Sequence, residues 1–360
     1  MIASVLKPVN DTRTSEKIAQ SLADTHQYEV HVLGVEGKTT ATHNLHVHAH
    51  AAFNRLSLTR ILLPWQIFQK IRVLRPALLV IATHELIVAA LLLKVLLRCK
   101  IIYDVQENYY RNILHTPAFP LFVRPLLAFY VRIKEILSAP FIDHFFLAEK
   151  GYEKELGFVK NNFTVLENKL KRPPYFQARK KNSSTLLFSG TLAETTGVFK
   201  AIEVAEQLHH LDKQVTLTVA GFCPQHSTLA KIRNKISARP YIRLIGGDTL
   251  VAHEEILSLI KEADAGIISY PQNPSTINSI PTKLYEYLGY RLPILLAYHP
   301  VWTKICLPYA AAVVFDPANI DAAGILETLK KGHFYTKEPN DVFWDSEQPR
   351  LIREVIHLLN

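Results

Sequence analysis

The sequence predicts an α/β protein of two doubly wound domains, each a parallel sheet covered on both faces, with a central cleft between them. Three observations carry this. Short apolar runs alternate with helical segments along most of the 360 residues. The alternation stops once, at a basic, breaker-rich stretch beginning at Lys171, and then starts again. The composition, 48% hydrophobic and 20% charged, suits a globular chain long enough for two cores.

In the first half, strands are expected at Ile2–Leu6, Tyr28–Val35 and Asn44–Ala49, with a helix over Thr12–Ala23. A long helix near Leu58–Leu74 ends before Pro76, because the residue ahead of a proline disfavours the helical region. Ala77–Ala82 reads as a buried strand, Glu85–Leu97 as a helix and Lys100–Tyr103 as a strand. Pro120–Leu137 is amphipathic and reads most simply as a helix facing the core, with short strands at Asp143–Leu147 and Phe163–Leu166. After the break come strands at Thr185–Ser189, Val215–Ala220, Tyr241–Ile245, Ala265–Ser269 and Pro293–Ala297. Helices at Val198–His209, Thr228–Ser237, Ala252–Ala263 and Pro281–Gly289 lie among them, and Glu347–Leu359 is amphipathic. The expected domains are 1–170 and 184–340, joined by a linker at 171–183, with 341–360 forming a terminal helix that returns to the first domain. In such folds ligands collect outside the carboxyl ends of the strands.

Charge is uneven. Residues 1–170 carry a net +6, 171–182 a net +5 and 183–360 a net −2. A basic first half fits an anionic partner such as nucleic acid, a membrane surface or a phosphorylated acceptor, or simply a solvated face. Cys99, Cys223 and Cys306 are far apart and lack metal spacing, as in a reducing, cytoplasmic setting. The first residues do not read as a signal peptide. The most apolar stretch, 77–102, is interrupted by charge and too short to span a bilayer. His46, His48 and His50 share one face of a strand; they suit a polar surface better than zinc, and no metal is expected. The basic-aromatic stretch Arg111–Lys134 has membrane contact as its second reading.

The most informative segment runs from Ser275 to Leu295. A polar loop with Asn278 and Ser279 feeds a helix at Pro281, Thr282 and Lys283. A helix N-terminus offers unsatisfied N–H donors to a diphosphate, and Lys283 adds a mobile positive charge. Glu286, one turn in, could accept two ribose hydroxyls or be merely an exposed helix residue.

This segment resembles the Glu-x7-Glu region of the family-4 glycosyltransferases of the GT-B fold, which is two Rossmann-like domains. The resemblance places Glu286 on the donor ribose and Asn278 where the family has its first Glu. Leu187–Gly197 is similar to the family's glycine loop. Gly190 there lets backbone approach the diphosphate, and Thr191 and Thr196 stand where basic residues are usual. The segments around Gly221, Gly246 and Glu262–Asp264 follow in the family's order. In the first half, Ile102–Asn108 resembles the family's strand end near the acceptor, with Gln106 in place of the usual His. His84 and Glu85, with Asp104 and Glu107, would position the acceptor hydroxyl; His84 or Asp104 could instead be structural, capping the next helix or loop.

The resemblance implies transfer of a sugar, with retention, from a UDP- or GDP-sugar to a glycan or polyprenyl-diphosphate-linked acceptor. It implies surface polysaccharide synthesis on the inner membrane face, with no cofactor beyond the donor substrate and no nucleic acid partner. Two other readings stay open: a nucleotide-sugar epimerase, which needs no acceptor, and a non-catalytic GT-B partner protein, suggested by Thr191, Thr196, Asn278 and Gln106.

Overall fold

The computed structural model describes residues 1–37, 43–53, 57, 59–115, 119–173, 184–272 and 277–360. Most of the expected linker therefore lies outside the described residues. The chain forms two compact units, Met1–Lys171 with Trp344–Asn360, and Arg172–Phe343.

The first unit contains β1 (Ile2–Pro8), α1 (Gln20–Ala23), β2 (Val30–Val35), β3 (Leu45–His50), α2 (Thr59–Leu74), β4 (Leu78–Ile81) and α3 (Ile87–Leu97). It continues through β5 (Lys100–Val105), α4 (Tyr109–His115), α5 (Arg124–Ser138), β6 (His144–Leu147), α6 (Tyr152–Glu155) and β7 (Phe163–Val165). Its seven strands lie in the order β3-β2-β1-β4-β5-β6-β7, and every pairing is parallel. All of β4 is buried, as a strand covered on both faces must be.

The second unit contains β8 (Thr185–Ser189), α7 (Val198–Leu211), β9 (Thr216–Phe222), α8 (His226–Ile236), β10 (Ile242–Gly247), α9 (His253–Glu262) and β11 (Ala265–Ile268). Then follow α10 (Thr282–Gly289), β12 (Ile294–Ala297), α11 (Pro300–Cys306), β13 (Ala312–Phe315) and α12 (Ala322–Lys331). Its order is β10-β9-β8-β11-β12-β13, again parallel throughout. In each sheet the order reverses beside the first strand, between β1 and β4 and between β8 and β11. That switch point opens a crevice at the carboxyl ends of the strands.

The last helix, α13 (Gln348–Leu359), is part of the first unit. Leu351 and Val355 pack with Ile18, Leu22 and Leu166, and the Trp344 indole N–H donates to Ser21 Oγ at 2.8 Å.

Several elements differ from the sequence expectation. Thr12–Ala19 winds as a π-helix before α1, with Asp11 accepting from the backbone N–H groups of Arg13 and Thr14. Pro281 is the N-cap of α10, extended at ψ 135°, and not part of its first turn. The helix expected from Pro120 begins at Arg124, and α4 precedes it. Its orientation is the larger correction. The residues α5 buries are Ala128, Val131, Glu135 and Ser138, and its large apolar side chains point outward.

Candidate functional site

In the second unit the crevice floor is backbone. Gly190, Gly221 and Gly246 stand at the ends of β8, β9 and β10 with φ of +109°, +149° and +82°. A Cβ on Gly221 would lie 1.7 Å from the Gly190 carbonyl oxygen, so only glycine allows strand ends this close. Lys283 lies beneath this floor. It is 5% exposed, and its ammonium donates to the Ser189 carbonyl oxygen, facing the Phe188 and Tyr270 rings at 4.9 and 5.2 Å. A Cβ on Gly190 would come within 2.7 Å of Lys283 Nζ. The lysine is therefore a fixed, ring-flanked charge and not the mobile one expected. Tyr287 ties α10 to the same strand, its hydroxyl 3.0 Å from Ser189 Oγ.

The other expected donor residues surround this floor. Glu286 is half-buried, and the His253 Nε2–H donates to its carboxylate at 3.1 Å. His253 opens α9, and no spacing in the sequence signals its pairing with a residue 33 positions on. Thr196 is buried and donates to the Thr191 and Ala193 carbonyls while accepting from the Ala193 N–H. Its hydroxyl shapes the loop, and Thr191 is exposed at the loop's start. Ser269 at the end of β11 donates to the Gly197 carbonyl at 2.8 Å and fixes the start of α7. Asn278 and Thr282 are exposed; the carbonyl of Ser279 accepts from the Trp302 indole. Beside this loop, a concavity of about 980 Å³ opens where β11, β12 and β13 end, lined by Gly197, Ser269, Tyr270, Gln272, Tyr298 and Asp316 among others.

The four residues expected to act in the first unit separate into three groups. His84 and Glu85, just past β4, form one network. Lys134 Nζ donates to His84 Nδ1 at 3.0 Å, Arg60 donates to Glu85 at 2.5 Å, and the Tyr109 ring meets His84 edge-on. Burial, helped by the nearby Lys134 and Arg60 charges, pulls His84 down to about 4, so it is neutral near pH 7. Burial would raise the Glu85 carboxyl, but His84 and Arg60 outweigh it and hold it below the ordinary carboxylate value.

Asp104 is enclosed in the first unit. It is 0% exposed, and both of its oxygens accept from the Arg13 guanidinium at 2.6–3.1 Å, with Gln106 donating to Oδ2 as well. Arg13 also donates to the Leu166 carbonyl. Two full charges buried together must satisfy each other, and here Asp104 is committed to Arg13. Glu107 is the most open of the four, with Lys7 at 3.6 Å and the Asn112 amide donating to it.

On the edge of the first sheet, oxygen and nitrogen atoms of Glu29, His31 and His46 lie within 4.8 Å of one another. Here the His31 ring stacks on His46 and His48, and it shares a 3.0 Å hydrogen bond with His48.

Residues 174–333 match the family described as Glycosyl transferases group 1, a stretch that takes in β8 through α12. No curated protein matches the sequence. Among solved structures, sucrose-phosphate synthase from Thermosynechococcus elongatus superposes with a TM-score of 0.74 at 10% identity, covering 99% of both chains. Anabaena HepE in complex with UDP-glucose gives 0.67 at 11% identity, over 99% of this chain and 100% of that one. The lipopolysaccharide outer core galactosyltransferase WaaB gives 0.59 at 11% identity over 99% of each. These likenesses establish the fold, two parallel sheets in the GT-B arrangement. The family match falls on the second unit, and that part of the chain is similar to the group 1 glycosyl transferases.

Proposed function

We propose that this chain transfers a sugar, with retention, from a nucleotide diphosphate sugar to a lipid-linked or glycan acceptor in surface polysaccharide synthesis. The observation that carries the donor half is the glycine floor at Gly190 and Gly221 with the Lys283 charge beneath it. A diphosphate resting there would approach the strand-end backbone closely, above an ammonium that is already oriented. Negative charge that grows as the glycosyl bond breaks then needs no reorganisation to be stabilised. Glu286, held by His253, receives the ribose hydroxyls. Similarity to HepE, crystallised with UDP-glucose, supports a UDP-sugar as donor.

His84, Glu85 and Glu107 position the acceptor hydroxyl in this reading. Since His84 is neutral and weakly basic, it orients a hydroxyl by hydrogen bonding, and the departing phosphate takes the proton. The test is calorimetric titration of the chain with UDP, GDP and their sugars, then turnover with the tightest binder. Submillimolar binding of a nucleoside diphosphate that Glu286→Ala weakens supports the assignment. Failure of every nucleotide to bind the folded chain overturns it.

A further inference from the structure

Helix α3 reads Ile-Val-Ala-Ala-Leu-Leu-Leu-Lys-Val-Leu-Leu, apolar on every side but for Lys94. A helix without a polar face is ordinarily enclosed by protein or lipid. Ile87, Ala90 and Leu93 are enclosed, yet Val88, Leu92, Val95 and Leu96 are 54–84% exposed. Their spacing of four, three and one places them on one outward face. Helix α5 repeats the pattern. Leu126, Phe129, Tyr130 and Leu137 are 60–70% exposed along one stripe, while its inward face carries Ala128, Glu135 and Ser138. The two helices are tied side by side by Lys134 on His84 and by Lys94, which donates to the Phe141 carbonyl. Their outward faces form an apolar surface wider than the stray exposed side chains of an ordinary monomer.

The charge around this surface selects its occupant. Residues 87–142 hold seven Lys and Arg against three Asp and Glu; Lys94 and Lys100 face Asp143, Arg111 faces Glu155 and Arg132 faces Glu135, so Arg98, Arg124 and Lys134 are the cations here that form no ion pair among the described residues. A second copy would bring the same cations together, whereas an anionic lipid leaflet complements them. Neither helix is long enough to cross a bilayer: α3, with 11 residues, is about 16 Å long at 1.5 Å per residue, against a hydrocarbon core of about 30 Å. Among the described residues no helix is long and apolar enough to span a membrane.

We propose that the outward faces of α3 and α5 form one membrane-docking surface that lies in the headgroup layer of an anionic bilayer and buries Leu92, Val95, Phe129 and Leu137 among the acyl chains. It deepens the reading of a lipid-linked acceptor: the surface belongs to the unit that carries His84, whose Lys134 partner is itself on α5. Insertion distinguishes this surface from a purely electrostatic one. Screening removes the cation contribution at high salt and leaves the apolar part.

The experiment is flotation of the full chain with phosphatidylcholine vesicles containing about one-third phosphatidylglycerol, chosen because anionic headgroups attract nearby Lys and Arg. The wild type is expected to float, and a residual fraction should still float at about 0.5 M salt, where the Debye length falls to a few ångströms. Leu92→Glu with Phe129→Glu should lower partitioning at least ~10-fold at every salt concentration, because charges placed on the apolar face oppose insertion. Arg98→Asp with Arg124→Glu should lower it several-fold at low salt only. All four side chains are on the surface or half-buried, and circular dichroism checks that each variant is folded. Flotation of the Leu92/Phe129 variant equal to wild type overturns the proposal. So does a lipid-free dimer that this variant dissociates, with no vesicle binding by either form. No nucleotide or acceptor is present, so failure here leaves the donor assignment standing, and failure of nucleotide binding leaves this surface standing.

Discussion

Replacing Asp104 with Asn keeps the side chain's size and removes its charge. The Arg13 guanidinium, 2% exposed, would then be left with the Leu166 carbonyl and a neutral amide. Desolvating a cation without its counterion is the costly half of a buried pair, and breaking such a pair costs about 3–5 kcal/mol. In a unit of this size each kcal/mol moves the melting temperature by roughly 2–4 °C, so the first unit should melt about 6–20 °C lower. Differential scanning calorimetry measures this, and intrinsic fluorescence in urea checks it independently. The double variant Arg13→Met with Asp104→Leu should recover most of the loss, since apolar residues of similar volume replace buried ion pairs at little cost. If Asp104→Asn melts within about 2 °C of wild type yet loses turnover, the structural account fails and Asp104 returns to the reaction.

Glu286→Ala should raise the dissociation constant for the preferred nucleoside diphosphate roughly 10- to 100-fold, from the loss of about 1.5–3 kcal/mol of charge-assisted hydrogen bonding; equal affinity on titration would remove it from the site. Lys283→Met keeps most of the packing between Phe188 and Tyr270 and should lower turnover more than nucleoside monophosphate affinity, so parallel losses would count against its role under the diphosphate. Gly221→Ala places a methyl against the Gly190 carbonyl and should abolish nucleotide binding while lowering the second unit's melting temperature. A pH test concerns Glu135, which burial pushes up to about 7, and His84, which burial pulls down to about 4. As pH rises toward 7, the folded chain keeps a Glu135 proton that the unfolded chain has lost, which costs stability. Over much of that window the unfolded chain protonates His84 and the folded chain does not, so this term raises stability with pH. Each slope is about 1.4 kcal/mol per pH unit, and they largely cancel. Glu135→Gln removes the first, so its stability relative to wild type should climb between about pH 5 and 7 in urea titrations; parallel curves would refute the buried-acid assignment.

The sheets were legible because a buried parallel strand needs an unbroken apolar run, and Leu78–Ile81, Ile101–Tyr103 and Ile294–Leu296 are such runs. Gly190 and the segment from Pro281 to Glu286 were legible because turn and helix-start chemistry is local. Partnership was not. Arg13 meets Asp104 across 91 positions and His253 meets Glu286 across 33, and single-sequence periodicity has no term for either. Position 104 looks the same in the sequence whether it faces solvent or a buried guanidinium. The orientation of α5 was hidden for a different reason. Its apolar stripe is real, but a stripe says that a face is covered and not by what. Residues 298–317 supply α11 and β13 from short stretches broken by prolines, too brief for a period to register.

The return of α13 also bears on the order in which the protein is made. The first unit takes Ile18 and Leu22 from near the start of the chain and Leu351 and Val355 from near its end. Trp344 N–H donates to the Leu170 carbonyl at 2.8 Å, so the chain leaves this unit and rejoins it at the same place. During synthesis, residues 172–343 emerge as one uninterrupted piece that holds all six strands of its own sheet. The earlier-made unit must wait, with Ser21 lacking its Trp344 partner, until residues 344–360 leave the ribosome. A chain halted near residue 340 would carry a nearly finished second unit beside an unsealed first one, a natural substrate for chaperones and proteases.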